Sequence, residues 1–321
     1  MSTLTMQSPF PRRFLAWIDE RFPFANSLLF FSLYATAVLL GSFAANDGAI
    51  EIGIRELAGF LPVWCFFLLL RVYDEHKDYE ADCQNYPERV LQKGLITLGH
   101  LKVAGGLAIA TQFFGSLLLD GGFGLITMWW LAVFVYSVLM AKEFFVGEWL
   151  EKRLALYATS HMAIMPLALL WMVQIGAGQQ SLPIEVGLLA ALSFLSGGAF
   201  EVTRKLRAPE EEREEVDSYT KVFGVKGAPL VVSFLLGLSV VVLGLMASWV
   251  FGQTPGIGWF VALGAILVAP VILLMKFRSD PTPKTRKTTE AVVGLSMLAS
   301  YIFMISVILA ERGAMWGGLG V

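Results

Sequence analysis

The chain has 321 residues, 56% of them hydrophobic and only 16% charged, with a formal net charge of −2 and a mean hydropathy of +0.66. A soluble protein of this length is seldom so apolar. No nucleic-acid motif appears, and the two cysteines, Cys65 and Cys83, lack any metal or redox spacing.

The first residues lack the continuous apolar core and cleavage site of a secretory signal. Residues 1–25 read as an interfacial segment, with Pro11, Arg12, Arg13, Phe14, Trp17 and Ile18 on a helix leading into the first span. Apolar stretches of bilayer length then recur at 26–45, 57–73, 101–119, 123–141, 154–175, 184–203, 226–250, 258–277 and 291–310. The class expected is an all-α integral membrane protein in the lipid bilayer, a single membrane domain over 1–321. With the N-terminus in the cytoplasm, 22 of the 24 Lys and Arg residues fall on the cytoplasmic side, and only Arg55 and Arg312 lie outside. Nine spans place the C-terminus on the opposite side. The outer loops are short and Gly-rich, whereas two inner loops, 73–100 and 201–226, are long and charged. That asymmetry predicts a cavity opening to the cytoplasm.

The first inner loop begins Asp74-Glu75-His76-Lys77-Asp78-Tyr79-Glu80-Ala81-Asp82. Read as a helix, it gathers Asp74, Glu75, Asp78 and Asp82 within an arc of about 100° and points Glu80 elsewhere. Such a face repels itself unless cations bridge it. Hard oxygen ligands at this spacing suit Mg²⁺ holding a phosphorylated substrate; a solvated acidic helix end is the plainer alternative. Arg71 lies one turn deeper in the middle of the arc, placed to neutralise Asp74 and Glu75. Pro87 and Gly94 bracket a turn that returns Arg89 and Lys93 towards the acids. An Arg fork and a Lys point charge both suit phosphate oxygens, although Lys93 fits equally well as an ordinary loop cation.

These residues carry a resemblance. Asp74 to Asp82 resembles the Asn-Asp-x-x-Asp-x-x-x-Asp motif of the UbiA superfamily of intramembrane prenyltransferases. Asp74 replaces the Asn, Glu75 replaces the first Asp, and Asp78 and Asp82 match. The Arg-Pro-x-x-x-Gly that follows in the family is Arg89-Val90-Leu91-Gln92-Lys93-Gly94 here, without the Pro. Asp217 to Gly224 is similar to the family segment ending in Phe-Gly. The second acidic motif, Asp-x-x-x-Asp, is altered to Glu201-Val202-Thr203-Arg204-Lys205.

The resemblance implies nine transmembrane helices around a central cavity capped by the acidic loops. It also implies an isoprenyl diphosphate bound through Mg²⁺, with Asp74, Glu75, Asp78, Asp82, Glu201 and Asp217 as candidate metal ligands. Asp78, Asp82 and Lys205 are the candidate catalytic residues. Arg89, Lys93 and Arg204 are candidate substrate contacts, as are Lys142 and Tyr136 at the end of the fourth span. Lys205 could contact phosphate in place of one metal ion, or simply pair with Glu201 one helical turn away. His161, five residues before Pro166, could face an acceptor or pack against backbone that the Pro frees. Lys142 and Tyr136 serve equally as interface anchors.

Three functions follow as expectations. One is a prenyltransferase acting on an unknown acceptor. The second is a terpene cyclase or diphosphate lyase on the same fold. The third is a non-enzymatic transporter or lipid-binding protein.

Overall fold

In hydrocarbon every backbone N–H and C=O must be satisfied within its own segment, so long apolar runs become helices. The computed structural model, which describes residues 4–213, 218–252 and 256–317, is built from them. In chain order they are α1 (Phe10–Arg21), α2 (Ser27–Ala45), α3 (Ile54–Ala58), α4 (Phe60–Lys77), α5 (Tyr79–Asn85), α6 (Leu98–Asp120) and α7 (Leu125–Ala141). There follow α8 (Gly147–Glu151), α9 (Leu154–Met162), α10 (Ile164–Ala177), α11 (Gly187–Arg204), α12 (Tyr219–Phe251), α13 (Ile257–Ser279) and α14 (Pro283–Arg312). Among the described residues, 8 helical segments are long and apolar enough to cross a membrane. They meet eight of the nine expected spans. The remaining one, 123–141, is α7, a shorter apolar helix of 17 residues. The chain is an integral membrane protein.

Lipid tails are as apolar as Leu, so close backbone approach and interhelical hydrogen bonds hold such a bundle together. The crossing of α2 and α10 shows the first. A Cβ on Gly41 would strike the Val173 carbonyl oxygen, and one on Gly176 would strike that of Val38. Hydroxyls supply the second: Thr36 donates to the Tyr301 carbonyl at 3.1 Å and Ser296 to that of Ile266 at 2.7 Å. Trp17, Phe66 and Trp171 fill the core.

The two basic residues outside the positive-inside pattern cap helix C-termini. Arg55 donates to the Leu119 carbonyl at 2.6 and 3.0 Å, closing α6, and Arg312 to that of Val250 at 2.7 and 3.1 Å, closing α12. A two-residue parallel pairing of Glu51–Ile52 with Met315–Trp316 ties the same end.

At the other end three helices are interrupted. The acidic run is not one helix, because α4 stops at Asp78 (φ −91°, ψ 6°) and α5 restarts beyond it. The fifth span divides at Ala163 into α9 and α10, where Pro166 has no N–H to give the preceding turn. Gly224 breaks the first turn of α12 at φ 72°, ψ 157°, a region open essentially to Gly alone. Gly94, in the turn after Arg89, also has a positive φ of 72°. Helix α1 does more than ride on a surface: it buries Trp17 and Ile18. Its Arg13 donates to the Leu95 carbonyl at 2.7 Å, and its Glu20 accepts from the Val90 amide at 2.9 Å.

Candidate active site

The ends of α4, α7, α9, α10 and α11, with α1 and the first inner loop, enclose a cavity of about 670 Å³. Its throat is apolar, formed by Leu70, Met140, Ala158, Met162, Ile164 and Met165. Its mouth carries the cations Arg21, Arg71, Lys77, Arg89, Arg204 and Lys205 and the carboxylates Asp74, Asp78, Asp82 and Glu201.

The acids of the first motif divide into two kinds. Asp82 is committed to guanidinium groups, with Arg89 at 2.6 Å and Arg21 at 3.4 Å. Glu75 lies behind the cavity wall, fully buried, 2.5 Å from Arg21 and 3.1 Å from Arg71. Asp74 has Arg71 at 3.7 Å as its ion-pair partner, and Asp78 has no ion pair among the described residues. Burial pushes the Asp78 carboxyl above the usual carboxylate range; Lys77 opposes this and Asp82 adds to it. Two carboxylates are therefore left facing the cavity with little compensation.

In the second loop, Glu201 accepts from Arg204 at 2.8 Å and from Lys205 at 2.9 Å, while all three line the cavity. The loop is tied down beyond them. Glu212 accepts from the hydroxyls of Ser218 and Thr220 at 2.8 and 2.5 Å, and Arg286 reaches Glu211 at 2.7 Å. Asp217 lies outside the described residues.

The remaining candidates separate. His161 lines the cavity, its Nδ1 2.9 Å from the Tyr157 carbonyl and its ring stacked on Tyr157 at 4.0 Å. Tyr136 points its hydroxyl to the Ser160 carbonyl at 2.8 Å, joining α7 to α9, and does not line the cavity. Lys93 is exposed and away from the cavity, and Lys142 borders a neighbouring groove instead.

Sequence reasoning missed Arg21, Lys77, Tyr157 and Glu143 as a set. The Lys77 ammonium meets the Tyr157 hydroxyl and the Glu143 carboxylate. Glu143, Phe144 and Phe145 all have φ near +50° to +60°, a left-handed turn unusual for such residues. Lys77 sits within the acidic run and was visible there, but nothing local signals a partner 80 positions on.

No three His, Cys, Asp or Glu side chains form a preassembled metal cluster among the described residues. Mg²⁺ does not require one, since it is commonly held by one or two carboxylates together with substrate phosphates. Asp74 and Asp78 fit that donor set.

A family profile, the UbiA prenyltransferase family, matches residues 35–302. The chain belongs to the UbiA prenyltransferase family. Solved UbiA folds agree. A structure described as bearing on the biosynthesis of digeranylgeranylglyceryl phosphate synthase in membranes superposes with a TM-score of 0.64 at 17% identity, covering 93% of this chain and 99% of its own. An apo UbiA homologue from Aeropyrum pernix K1 superposes with a TM-score of 0.63 at 14% identity, covering 89% and 98%. No curated protein sequence matches the chain. UbiA family enzymes act on prenyl diphosphates within the membrane and generally use a divalent metal to bind the diphosphate.

Proposed function

We propose that this UbiA protein transfers an isoprenyl group from a prenyl diphosphate to an acceptor, with Mg²⁺-assisted loss of pyrophosphate. The observation that carries the reading is a single cavity in which Asp74 and Asp78 face Lys77, Arg204 and Lys205 above an apolar throat. Mg²⁺ held by Asp74 and Asp78 would offset the diphosphate charge and stabilise the pyrophosphate as it departs.

The chain's own residues supply the rest. The allylic C–O bond breaks with its electron pair going to the leaving pyrophosphate, so charge builds on the phosphate oxygens. Lys205, Arg204 and Lys77 are placed to interact more strongly with that charge as it grows, which favours the transition state over the bound substrate. Asp82 positions Arg89, whose guanidinium also lies 3.7 Å over the Tyr86 ring. Glu75 holds Arg21 and Arg71 against the same wall, a positioning role in place of metal ligation. The isoprene units fill the throat of Leu70, Met162 and Met165, which excludes water from the cation. The acceptor then forms the new bond to the allylic carbon and gives up a proton.

The distribution of basic residues supports a cytoplasmic N-terminus and cytoplasmic site loops, with the C-terminus opposite. A terpene cyclase or diphosphate lyase is the second reading. It is favoured by Lys205 standing where the family carries an acid. Labelled prenyl diphosphate supplied with membrane lipids separates them. A prenylated lipid supports transfer, a free cyclic or eliminated hydrocarbon supports the second reading, and unchanged substrate contradicts both.

A further inference from the structure

Transfer to a neutral acceptor releases a proton, and most ionic groups around the cavity are already committed. Lys77 is held by Glu143 and Tyr157, Glu201 by Arg204 and Lys205, and Asp82 by Arg89 and Arg21. Asp74 and Asp78 are the carboxylates that fit Mg²⁺. Among the described residues lining the cavity, His161 is the group of near-neutral basicity that has neither a counter-ion nor a metal to hold.

Local contacts decide which ring nitrogen carries the lone pair. Ser160 spends its one hydroxyl proton on the Tyr157 carbonyl at 2.9 Å, so it has none for His161 Nδ1, 3.3 Å away. The same carbonyl lies 2.9 Å from Nδ1 and can only accept, which puts the imidazole proton on Nδ1. Nε2 is therefore the basic nitrogen. It makes no hydrogen bond among the described residues, and it is not one of the polar atoms sealed away from the surface. The ring is also clamped, stacked on Tyr157 at 4.0 Å and 12° and set edge-on to Phe144 at 6.0 Å and 88°.

Its depth fits the reaction. His161 lies one helical turn from Tyr157 on α9, between the Lys77–Tyr157 contact at the mouth and Met162 and Met165 in the throat. An allylic carbon joins an anionic head to an apolar chain, so it comes to rest at this same boundary.

We propose that His161 Nε2 is the general base of the transfer. The inference rests on the prenyltransferase reading and adds to it the residue that takes the proton. The allylic C–O bond breaks with its electron pair on pyrophosphate, and an electron pair of the acceptor forms the new bond to the allylic carbon. The acceptor's bond to hydrogen then breaks, its electrons staying with the acceptor and its proton passing to Nε2. The resulting imidazolium is stabilised by the Nδ1 hydrogen bond and the face of Tyr157, and it returns the proton to water at the mouth as product leaves.

The test counts pyrophosphate and prenylated lipid in the same sample. Purified protein in detergent is given labelled geranylgeranyl diphosphate, Mg²⁺ and a total membrane lipid extract, and the melting temperature of each variant is measured alongside. His161→Asn keeps a donor for the Tyr157 carbonyl but lacks the base. It should form about a hundredfold less prenylated lipid per pyrophosphate released, with prenyl alcohol from water capture in its place, while pyrophosphate release itself slows far less. His161→Ala vacates the ring's space, and added imidazole should restore its yield of prenylated lipid. An equal fall in pyrophosphate and prenylated lipid would make His161 a packing residue and overturn the proposal. So would an unchanged yield per pyrophosphate in His161→Asn, or no restoration by imidazole in a His161→Ala protein that melts normally. Absence of pyrophosphate release or of prenylated lipid from the unaltered protein would instead overturn the transfer reading, and the base with it.

Discussion

Arg21 Nε lies 2.5 Å from Glu75 Oε1, joining the end of α1 to a fully buried carboxylate 54 residues along the chain. Arg71 holds the same oxygen from within α4 at 3.1 Å. A buried ion is tolerable only while paired, and here one acid positions two cations at the cavity mouth. Arg21→Met leaves Arg71 as the remaining partner. The expected outcome is a loss of about 2 kcal/mol of stability, read as a lower melting temperature in detergent, together with reduced turnover. An unchanged melting temperature would show that α1 docks without help from the Arg21–Glu75 pair.

Lys205 pairs with Glu201 at 2.9 Å and also lines the cavity, so its two readings remain distinguishable by kinetics. A phosphate contact strengthens as pyrophosphate leaves, whereas an ion pair at this spacing contributes little and nothing to chemistry. Lys205→Met should lower kcat/KM by about tenfold, or ~1.4 kcal/mol of transition-state stabilisation. Near-normal kinetics would make Lys205 a partner of Glu201 only.

Gly224 sets how the second inner loop enters the membrane. At φ 72° and ψ 157° it turns the short segment from Tyr219 away from the rest of α12. A Cβ there finds no steric obstacle, since nothing lies within 4 Å, so a substitution is penalised by the backbone conformation alone. Gly224→Ala should therefore cost about 1–3 kcal/mol and lower the melting temperature. A neutral result would mean that the segment relaxes into continuous helix.

The clamp between Glu211 and Arg286 gives a pH dependence. Burial alone would raise the Glu211 carboxyl. The Ala208 amide and Arg286 outweigh it and hold the value below the ordinary 4.5. A depressed folded-state value contributes stability above the unfolded value, and that stability is lost as pH falls through the folded one. The pair is partly solvated, so the contribution is at most about 1 kcal/mol. On acidification below about pH 4.5, the melting temperature of the unaltered chain should fall more steeply than that of Glu211→Gln. Parallel curves would remove Glu211 from the acid response.

Much of this architecture was legible because hydrocarbon length and alternation of charged loops are strong signals. The apolar stretches met helices, and the acids of the first motif lie beside Arg71 and Arg89 as their spacing implied. The divergence came where tertiary contacts override helical periodicity. Within α4, Glu75 turns inward to Arg21 and Arg71, while Asp74 and the C-terminal Asp78 remain at the cavity. Arg21 and Tyr157 reach the site from distant segments, and no local pattern announces such contacts. The family resemblance offers Lys142 as a diphosphate contact, with an interface anchor as the equal alternative; its side chain borders the adjoining groove.

The central claim is that Asp78 takes part in Mg²⁺-dependent ionisation of a prenyl diphosphate. The decisive measurement is pyrophosphate release from labelled geranylgeranyl diphosphate by the purified protein and by Asp78→Asn, each with Mg²⁺ and with EDTA. The account predicts release only by the unaltered protein with Mg²⁺, and an Asp78→Asn variant that melts at a similar temperature but is slower by about a thousandfold. Undiminished release in EDTA, or normal release by Asp78→Asn, would contradict it.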